Sequence, residues 1–158
     1  MENEYKTEIQ RYRRKIHRVL AESYTVYLLA LVLGLFFTAV WPINIFRNNT
    51  FVNMSAILLF LSSALILWAQ RSSKRFTKEN LTPESFKNGP YRFTRNPTNL
   101  GLFILITCFG IIVNSFFVVL FTLIAFMISR LIFIKKEERL LENKYGKSYL
   151  EYKKSVRF

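Results

Sequence analysis

Four apolar segments constrain the fold of this chain more than any other feature. They cover residues 24–41, 51–69, 100–113 and 116–134. A helix of about 20 residues, rising 1.5 Å per residue, crosses the roughly 30 Å hydrocarbon core of a bilayer. The first, second and fourth segments are long enough for this, and the third is short. The sequence therefore predicts an all-α, polytopic integral membrane protein with four transmembrane helices, folded as a single domain over residues 1–158.

The basic residues alternate along the chain in step with the apolar segments. Of the 23 Lys and Arg residues, six precede the first segment and one lies in the first loop. Seven lie between the second and third segments, none at the turn between the third and fourth, and nine from Arg130 onward. Because Lys and Arg are enriched on the cytoplasmic side of membranes, this pattern predicts that both termini are cytoplasmic. The same segregation argues against nucleic acid as the partner of the net charge of +13.

Polar residues at two places shape the ends of these segments. Asn114 and Ser115 interrupt the long apolar stretch and predict a tight helical hairpin of the third and fourth segments. Near the N-terminus, one helical face carries apolar residues at spacings of four, three, four and four. This face belongs either to an amphipathic helix on the inner leaflet or to an extension of the first transmembrane helix. Its residues are Tyr5, Ile9, Tyr12, Ile16 and Leu20.

The single cysteine and single histidine limit the available chemistry. Cys108 lies in an apolar run, so one chain offers neither a disulfide nor a thiolate metal site. His17 lies in the basic N-terminal segment, where a solvated surface position is the simplest interpretation. We therefore expect no metal site.

A polar motif precedes the third apolar segment. Residues 88–101 read Asn-Gly-Pro-Tyr-Arg-Phe-Thr-Arg-Asn-Pro-Thr-Asn-Leu-Gly. Gly89-Pro90 predicts a turn, and Pro97 predicts the first turn of a helix, with Thr94 or Asn96 as its cap. One interpretation is an ordinary loop that enters a helix and anchors its aromatic and basic side chains at the membrane surface.

A second polar motif follows the fourth apolar segment. Glu137 and Glu138 come just after its last apolar residues, and helical periodicity continues through Tyr152, which predicts a C-terminal cytoplasmic helix. Carboxylates mixed with Lys and Arg also form exposed ion pairs that contribute little. However, a hairpin returns the chain to the same membrane face. We therefore expect the regions of Arg95 and Glu137 to be neighbours.

Together the two motifs resemble those of the isoprenylcysteine carboxyl methyltransferase family and its bacterial relatives, which belong with the membrane phospholipid methyltransferases. The usual pattern there is Gly-Pro-Tyr-x-x-x-Arg-His-Pro-x-Tyr-x-Gly, then Glu-Glu-x-x-Leu and Phe-Gly-x-x-Tyr-x-x-Tyr. Residues 86–156 carry the resemblance, and the first half of the chain is similar only in hydropathy. Asn96 stands at the usual His position and Asn99 at the usual Tyr position. Asn forms hydrogen bonds but neither titrates nor stacks, so catalysis or cofactor contacts are expected to differ.

The resemblance implies an integral membrane enzyme that uses S-adenosylmethionine, held between the two motifs at the cytoplasmic surface. It also implies a lipophilic or lipid-anchored acceptor. An Arg can bind the cofactor carboxylate, and an acidic pair can accept hydrogen bonds from its hydroxyls or offset its positive charge. The expected cofactor-binding residues are Gly89, Tyr91, Arg95, Asn96, Pro97, Asn99, Gly101, Glu137 and Glu138, and the expected catalytic residues are Arg95, Asn96 and Arg130.

Arg130 is an unusual residue for the end of a membrane segment. An Arg there is costly unless it reaches headgroups or faces a polar cavity. It lies seven residues before Glu137, and two helical turns place the two on roughly the same face. Arg130 therefore either holds an acidic lipid group near the methyl donor or reaches the inner interface as an anchor.

Acceptor classes differ in whether they must lose a proton before or during methyl transfer, and this difference favours some of them for this chain. A carboxylate acceptor needs no general base, whereas an amine must lose a proton, and the chain has no well-placed His. Carboxyl O-methylation is therefore favoured over N-methylation of a phospholipid or small amine. Two other interpretations are a membrane reductase similar to the sterol reductases and a non-enzymatic adaptor whose basic tails bind anionic lipid. The sequence leaves the oligomeric state open.

Overall fold

Helices make up almost all of the described chain. The computed structural model describes residues 2–46, 50–73 and 89–156, with side chains for 14–15, 18–46, 51–73 and 89–156. These ranges contain no strand, so the predicted all-α class is confirmed. The basic residues counted between 74 and 87, and Arg47, lie outside them. The helices are α1 (Glu2–Val40), α2 (Thr50–Ser73), α3 (Pro97–Ile112), α4 (Phe116–Ile128), α5 (Lys135–Tyr145) and α6 (Lys147–Ser155), with a 3-10 turn at Gly89–Arg92 and a π-helical segment at Ser129–Ile134.

Three of the described helices are long and apolar enough to cross a membrane. They cover Arg18–Val40, Phe51–Ser73 and Phe116–Tyr145. The predicted third span corresponds to α3, an apolar helix of only 16 residues. Apolar side chains point outward along these helices, and Phe60 is 75% exposed. The structure therefore offers three candidate spans and one shorter apolar helix where the sequence predicted four.

At the N-terminal end, the structure favours the second of the two interpretations left open by the sequence. The segment is an extension of the first span and not a separate amphipathic helix, because α1 runs unbroken for 39 residues. The stretch contains no proline, so nothing in it interrupts the helix. The helix ends just before Pro42, because a proline disfavours helical backbone angles at the residue that precedes it. The apolar side chains expected at Tyr5, Ile9, Tyr12 and Ile16 lie outside the described side chains. The predicted C-terminal helix is divided into α5 and α6 at Gly146, which has φ of 53°.

The predicted hairpin of α3 and α4 turns at Asn114 and Ser115. Asn114 has φ of 51°, and Ser115 caps α4 by accepting a hydrogen bond from the Val118 N–H at 3.1 Å. The Asn114 Oδ1 accepts from the N–H groups of Ile45 at 3.0 Å and Phe46 at 2.9 Å. The turn is thus joined to the loop that follows α1.

The packing order of the helices places both polar motifs at one end of the bundle. Helix α2 packs along α3, α1 packs along α4, and α3 packs against α4. The hairpin turn lies at the C-terminal end of α3, so the start of α3 and the end of α4 lie together at the opposite end. The core between the helices is formed by Tyr27, Ala30, Ile106, Val118 and Ala125.

Candidate functional site

The first motif folds as a 3-10 turn that leads into α3. Gly89 has φ of +63°, and a Cβ there would clash with the side chain of Ser72 on α2, so both the turn and the packing require glycine. Pro97 is the first residue of α3. The Asn96 side chain caps the helix by accepting a hydrogen bond from the Asn99 N–H at 3.1 Å. The second of the two expected caps is therefore the one used.

The two polar motifs meet through two side-chain contacts. The Asn96 Nδ2 donates to the Glu137 Oε2 at 2.8 Å. The Arg95 Nη1 pairs with the Glu138 Oε1 at 2.8 Å, and these side chains are only 18% and 14% exposed. The expected proximity of the Arg95 and Glu137 regions is thus present in the fold. Asn96 and Glu137 are 41 positions apart in the sequence, and Arg95 and Glu138 are 43 positions apart, yet each pair is in direct contact.

Helix α6 contacts both motifs, Glu138 through Lys153 and the Tyr91 backbone through Tyr152. The Lys153 ammonium lies 2.9 Å from the second Glu138 oxygen and 2.6 Å from Glu142. These carboxylates raise the pKa of Lys153 above its ordinary value, so the lysine is charged at neutral pH. The Tyr152 hydroxyl donates to the backbone carbonyl of Tyr91 at 2.7 Å. Glu138 therefore lies between two cations, Arg95 and Lys153.

Two buried phenols, Tyr149 and Tyr152, and the half-buried Tyr91 lie where α6 meets the first motif. Burial raises the pKa of Tyr91, Tyr149 and Tyr152, and neighbouring carboxylates raise each one further. Arg95 opposes this shift for Tyr149 and Tyr152 because its charge favours a phenolate. All three phenols are therefore neutral hydrogen-bond donors at physiological pH, and none serves as a base.

A buried polar network lies beneath the motifs. The Tyr27 hydroxyl donates to the Asn99 Oδ1 at 3.1 Å. The Asn99 Nδ2 contacts the hydroxyls of Ser129 and Ser23, the latter at 3.3 Å, and the two serine hydroxyls are 2.7 Å apart. These four side chains join α1, α3 and the π-helical segment, and each is less than 5% exposed.

A cleft of about 460 Å³ lies between the first motif and the helical wall of α4, the π-helical segment and α5. Its charged lining residues are the cations of Arg95, Arg130 and Lys135 and the carboxylate of Glu138. Its other lining residues are mostly apolar. The cleft therefore suits a ligand with both polar and hydrophobic parts. The lining residues are Phe93, Thr94, Arg95, Asn96, Asn99, Leu100, Phe126, Arg130, Leu131, Ile134, Lys135 and Glu138.

Several of the expected site residues lie away from this cleft. Gly101 packs on α2, where an added Cβ would lie 2.7 Å from Ile66 Cγ1, so its smallness serves helix packing. Gly89, Tyr91 and Pro97 belong to the first motif but are not among the residues that line the cleft. Glu137 borders a separate space of about 10 Å³ between α1, α3 and α5.

Arg130 shares the cleft with Glu138 instead of Glu137. A regular α-helix between Arg130 and Glu137 would place the two on one face, as the sequence spacing predicts. The segment from Ser129 to Ile134 is π-helical, with wider turns, and this shifts the shared face by one residue. The sequence also gave no indication of Ser23, Tyr27, Ser129 or Lys153, because none of them belongs to a recognisable motif.

Most of the chain matches the sequence profile of one known family. The sequence profile of the phospholipid methyltransferase family matches residues 50–148, more than half of the chain, from the start of α2 into α6. The chain belongs to the phospholipid methyltransferase family. The resemblance drawn from the two motifs is thereby confirmed. Neither a curated protein nor a solved structure matches the chain.

This phospholipid methyltransferase family member uses more than the matched region to build its site. Helix α1 lies outside residues 50–148, yet it supplies Ser23 and Tyr27 to the buried network. The matched region contains the first motif, the Glu137–Glu138 pair, the cleft and the π-helical segment, whereas Tyr149, Tyr152 and Lys153 lie just beyond it. The first helix therefore acts as a support on which the family's shared part is positioned.

Proposed function

We propose that this protein transfers the methyl group of S-adenosylmethionine to an acidic, lipophilic acceptor at the cytoplasmic face of a membrane. One observation carries the proposal. The contacts of Arg95 with Glu138 and of Asn96 with Glu137 join the two family motifs beside a cleft lined by both charged and apolar side chains. Membership of a methyltransferase family supplies the reaction type.

The residues of the cleft fit S-adenosylmethionine by size and by chemistry. A volume of about 460 Å³ lies within the usual range of small-molecule sites, roughly 300–1,000 Å³. Arg95 and Arg130 are suited to its carboxylate, and Glu138 to its ammonium or ribose hydroxyls. Phe93 and Leu100 offer apolar surface for its adenine. When bound, this cofactor supplies an electrophilic methyl group for direct displacement by the acceptor.

The protein's own contribution is to position the reactants and to exclude water. The Arg95–Glu138 pair and the Asn96–Glu137 hydrogen bond hold the loop against α5 before any ligand arrives. Binding groups that are already fixed lose little freedom when the ligand binds. Asn96 does not titrate, so it acts by hydrogen bonding and by capping α3.

The charge of the cleft supports an acidic acceptor. Three cations, Arg95, Arg130 and Lys135, line the cleft together with a single carboxylate, that of Glu138. A carboxylate acceptor would be attracted by these cations and needs no general base. Its hydrocarbon part would lie against apolar lining residues such as Phe126 and Leu131.

N-methylation of an amine lipid is the second candidate. One observation favours it, because the carboxylate of Glu138 lines the cleft itself. A carboxylate in that position could accept the proton that an amine must lose. The family description also names phospholipids.

A methyl-transfer assay distinguishes these candidates. The purified protein is incubated in vesicles of a total lipid extract with S-adenosylmethionine carrying a tritiated methyl group. We expect label in the lipid phase that mild alkali releases as volatile methanol, because a methyl ester hydrolyses and an N-methyl group does not. Alkali-stable label would support N-methylation. The absence of label, together with binding of NADPH in place of S-adenosylmethionine, would contradict the proposal and favour a reductase.

A pair of arginine variants tests the acidic acceptor. Arg130→Gln removes a cation that lines the cleft, and Arg139→Gln removes an exposed one from α5. We expect transfer of alkali-labile label to fall about tenfold for the first variant and less than twofold for the second. Equal losses would show that overall surface charge, and not the cleft, recruits the acceptor.

A further inference from the structure

The π-helical segment is a feature of the fold that methyl transfer alone does not explain. It covers Ser129–Ile134, between the apolar helix α4 and the charged helix α5. π-helical turns are rare, because their i to i+5 bonding is less favourable than that of an α-helix, and they are frequent at functional sites. Here the segment forms part of the wall of the cleft.

The π turn changes which residues share a face. One α-helical turn has 3.6 residues and one π turn has about 4.4, so eight residues complete about two turns across the segment. Arg130 and Glu138 are eight residues apart, and both line the cleft. In an uninterrupted α-helix, eight residues overshoot two turns by about 80°. The two charged groups would then point in different directions.

Buried hydrogen bonds hold the start of this segment. Ser129 has no exposed surface, and its hydroxyl contacts Ser23 on α1 and Asn99 on α3. Asn99 is held in turn by Tyr27. A buried polar group that loses its partners is destabilised, so the Ser129 side chain is confined to the direction of Asn99. The rotation of the helix is thereby fixed at the first residue of the π-helical segment.

We propose that Ser129 is a positioning residue whose buried contacts with Ser23 and Asn99 fix the π turn. The π turn in turn directs Arg130, Leu131 and Glu138 into the cleft. Ile132 lies next to these residues in sequence and is 45% exposed, but it does not line the cleft. Leu131 is similarly exposed at 55%. The two neighbours therefore report on the rotation of the helix, since one faces the cleft and the other faces away.

Cysteine reactivity measures this rotation directly. Cys108 is buried and is the only cysteine, so Cys108→Ala provides a cysteine-free background. Leu131→Cys and Ile132→Cys are introduced separately, and the protein in lipid vesicles is treated with a charged maleimide. Thiols react as thiolates, which require water. We expect the cysteine at 131 to react at least about tenfold faster than the one at 132, because only the former lines a cleft that also contains the charged side chains of Arg130 and Glu138.

The serine variants test the cause of the rotation. In a Ser129→Ala background we expect the ratio of the two rates to fall below about threefold. Ser62→Ala is the matched control, because Ser62 is 3% exposed but bonds only within its own helix, and it should leave the ratio unchanged. Ser23→Ala removes one of the two partners and should lower the ratio by a smaller factor.

The outcomes separate this proposal from the proposed methyl transfer. A ratio that stays at its original value in both Ser129→Ala and Ser23→Ala would overturn the positioning role. So would equal rates at 131 and 132 in the unaltered background. Thermal melting checks that each variant is folded. If Ser129→Ala does not fold, the rate ratio in Ser23→Ala still tests the positioning role. The measurement needs neither cofactor nor acceptor, so its result stands even if no methyl transfer is found.

Discussion

Asn96 has two separate structural roles at the residue scale. Its Oδ1 caps α3 through the Asn99 N–H, and its Nδ2 donates to Glu137. An imidazole would supply a titratable group at this position, whereas an amide supplies one acceptor and one donor at the same time. The amide therefore joins the helix start to the acidic pair without itself titrating.

Substitutions at Asn96 are expected to separate these roles. Asn96→Ser keeps a good cap but is too short to reach Glu137, so the melting temperature should change little while binding of S-adenosylhomocysteine weakens severalfold. Asn96→Ala loses the cap as well, which costs about 1 kcal/mol, or about 2–4 °C. Melting curves and calorimetry on both variants check this. Equal melting temperatures for the two variants would argue against the capping role.

Lys153 is expected to tune the preference for charged ligands. Its ammonium is the second cation on Glu138, after Arg95. In Lys153→Met the cleft becomes more negative, so S-adenosylmethionine, with its sulfonium charge, should gain about threefold in affinity relative to the uncharged thioether of S-adenosylhomocysteine. Competition binding with the two ligands measures the ratio.

The control for this prediction lies next in sequence. Lys154 is on the same helix but is exposed. Lys154→Met should leave the ratio of the two affinities unchanged. The pairing of Lys153 raises its pKa, so its contribution is present throughout the range below the ordinary pKa of 10.5 and is lost as pH rises through the raised value. The effect of Lys153→Met should therefore be constant between pH 6 and 8.

At the scale of elements, the hairpin turn depends on Asn114. This residue has a left-handed backbone, and its side chain accepts from two backbone N–H groups and donates to the Phe46 carbonyl at 2.8 Å. Asn114→Gly keeps the backbone conformation but loses three hydrogen bonds, which should cost about 2–3 kcal/mol. Asn114→Ala adds roughly 1 kcal/mol of backbone strain. Thermal melting in detergent should therefore rank the variants Asn, Gly, Ala in decreasing stability, and equal melting of all three would contradict this account.

The sequence predicted some elements well for identifiable reasons. Asn114-Ser115 interrupts a long apolar run, and Asn96 precedes a proline, so the hairpin turn and the cap were recognisable from local signals. The π turn was not recognisable from the sequence. Leu131, Ile132 and Phe133 are all apolar, and helical periodicity can be detected only where polar and apolar residues alternate. The continuity of α1 depends on the absence of a helix-breaking residue before Pro42. Amphipathic periodicity alone does not distinguish a continuous helix from two separate ones.

At the scale of the whole molecule, the two ends of the bundle should face opposite sides of the membrane. The hairpin turn lies at one end, and both polar motifs with α6 lie at the other. The excess of Lys and Arg at the motif end predicts that it is cytoplasmic. In a Cys108→Ala background, Asn44→Cys should react with an impermeant thiol reagent in intact cells, and Lys154→Cys only after permeabilisation. The reverse pattern would contradict the orientation.

The candidate site could be predicted from sequence only where it is built from motifs. The approach of Arg95 to Glu138 follows from a hairpin between two recognisable stretches. The buried network could not be foreseen, because Ser23 and Ser129 are 106 positions apart and single serines in apolar helices carry no pattern. Gly101 was assigned to the cofactor, but its contact with Ile66 shows a role in helix packing that sequence spacing alone does not distinguish.

Calorimetric titration of the purified protein with S-adenosylhomocysteine tests the central claim most directly, namely that the joined motifs form one cofactor site. The account predicts saturable binding with one ligand per chain. It also predicts that Glu138→Ala weakens this binding more than tenfold, about 1.4 kcal/mol, whereas the exposed control Glu151→Ala changes it less than twofold. Absence of binding, or equal dissociation constants for Glu138→Ala and the unaltered protein, would contradict it.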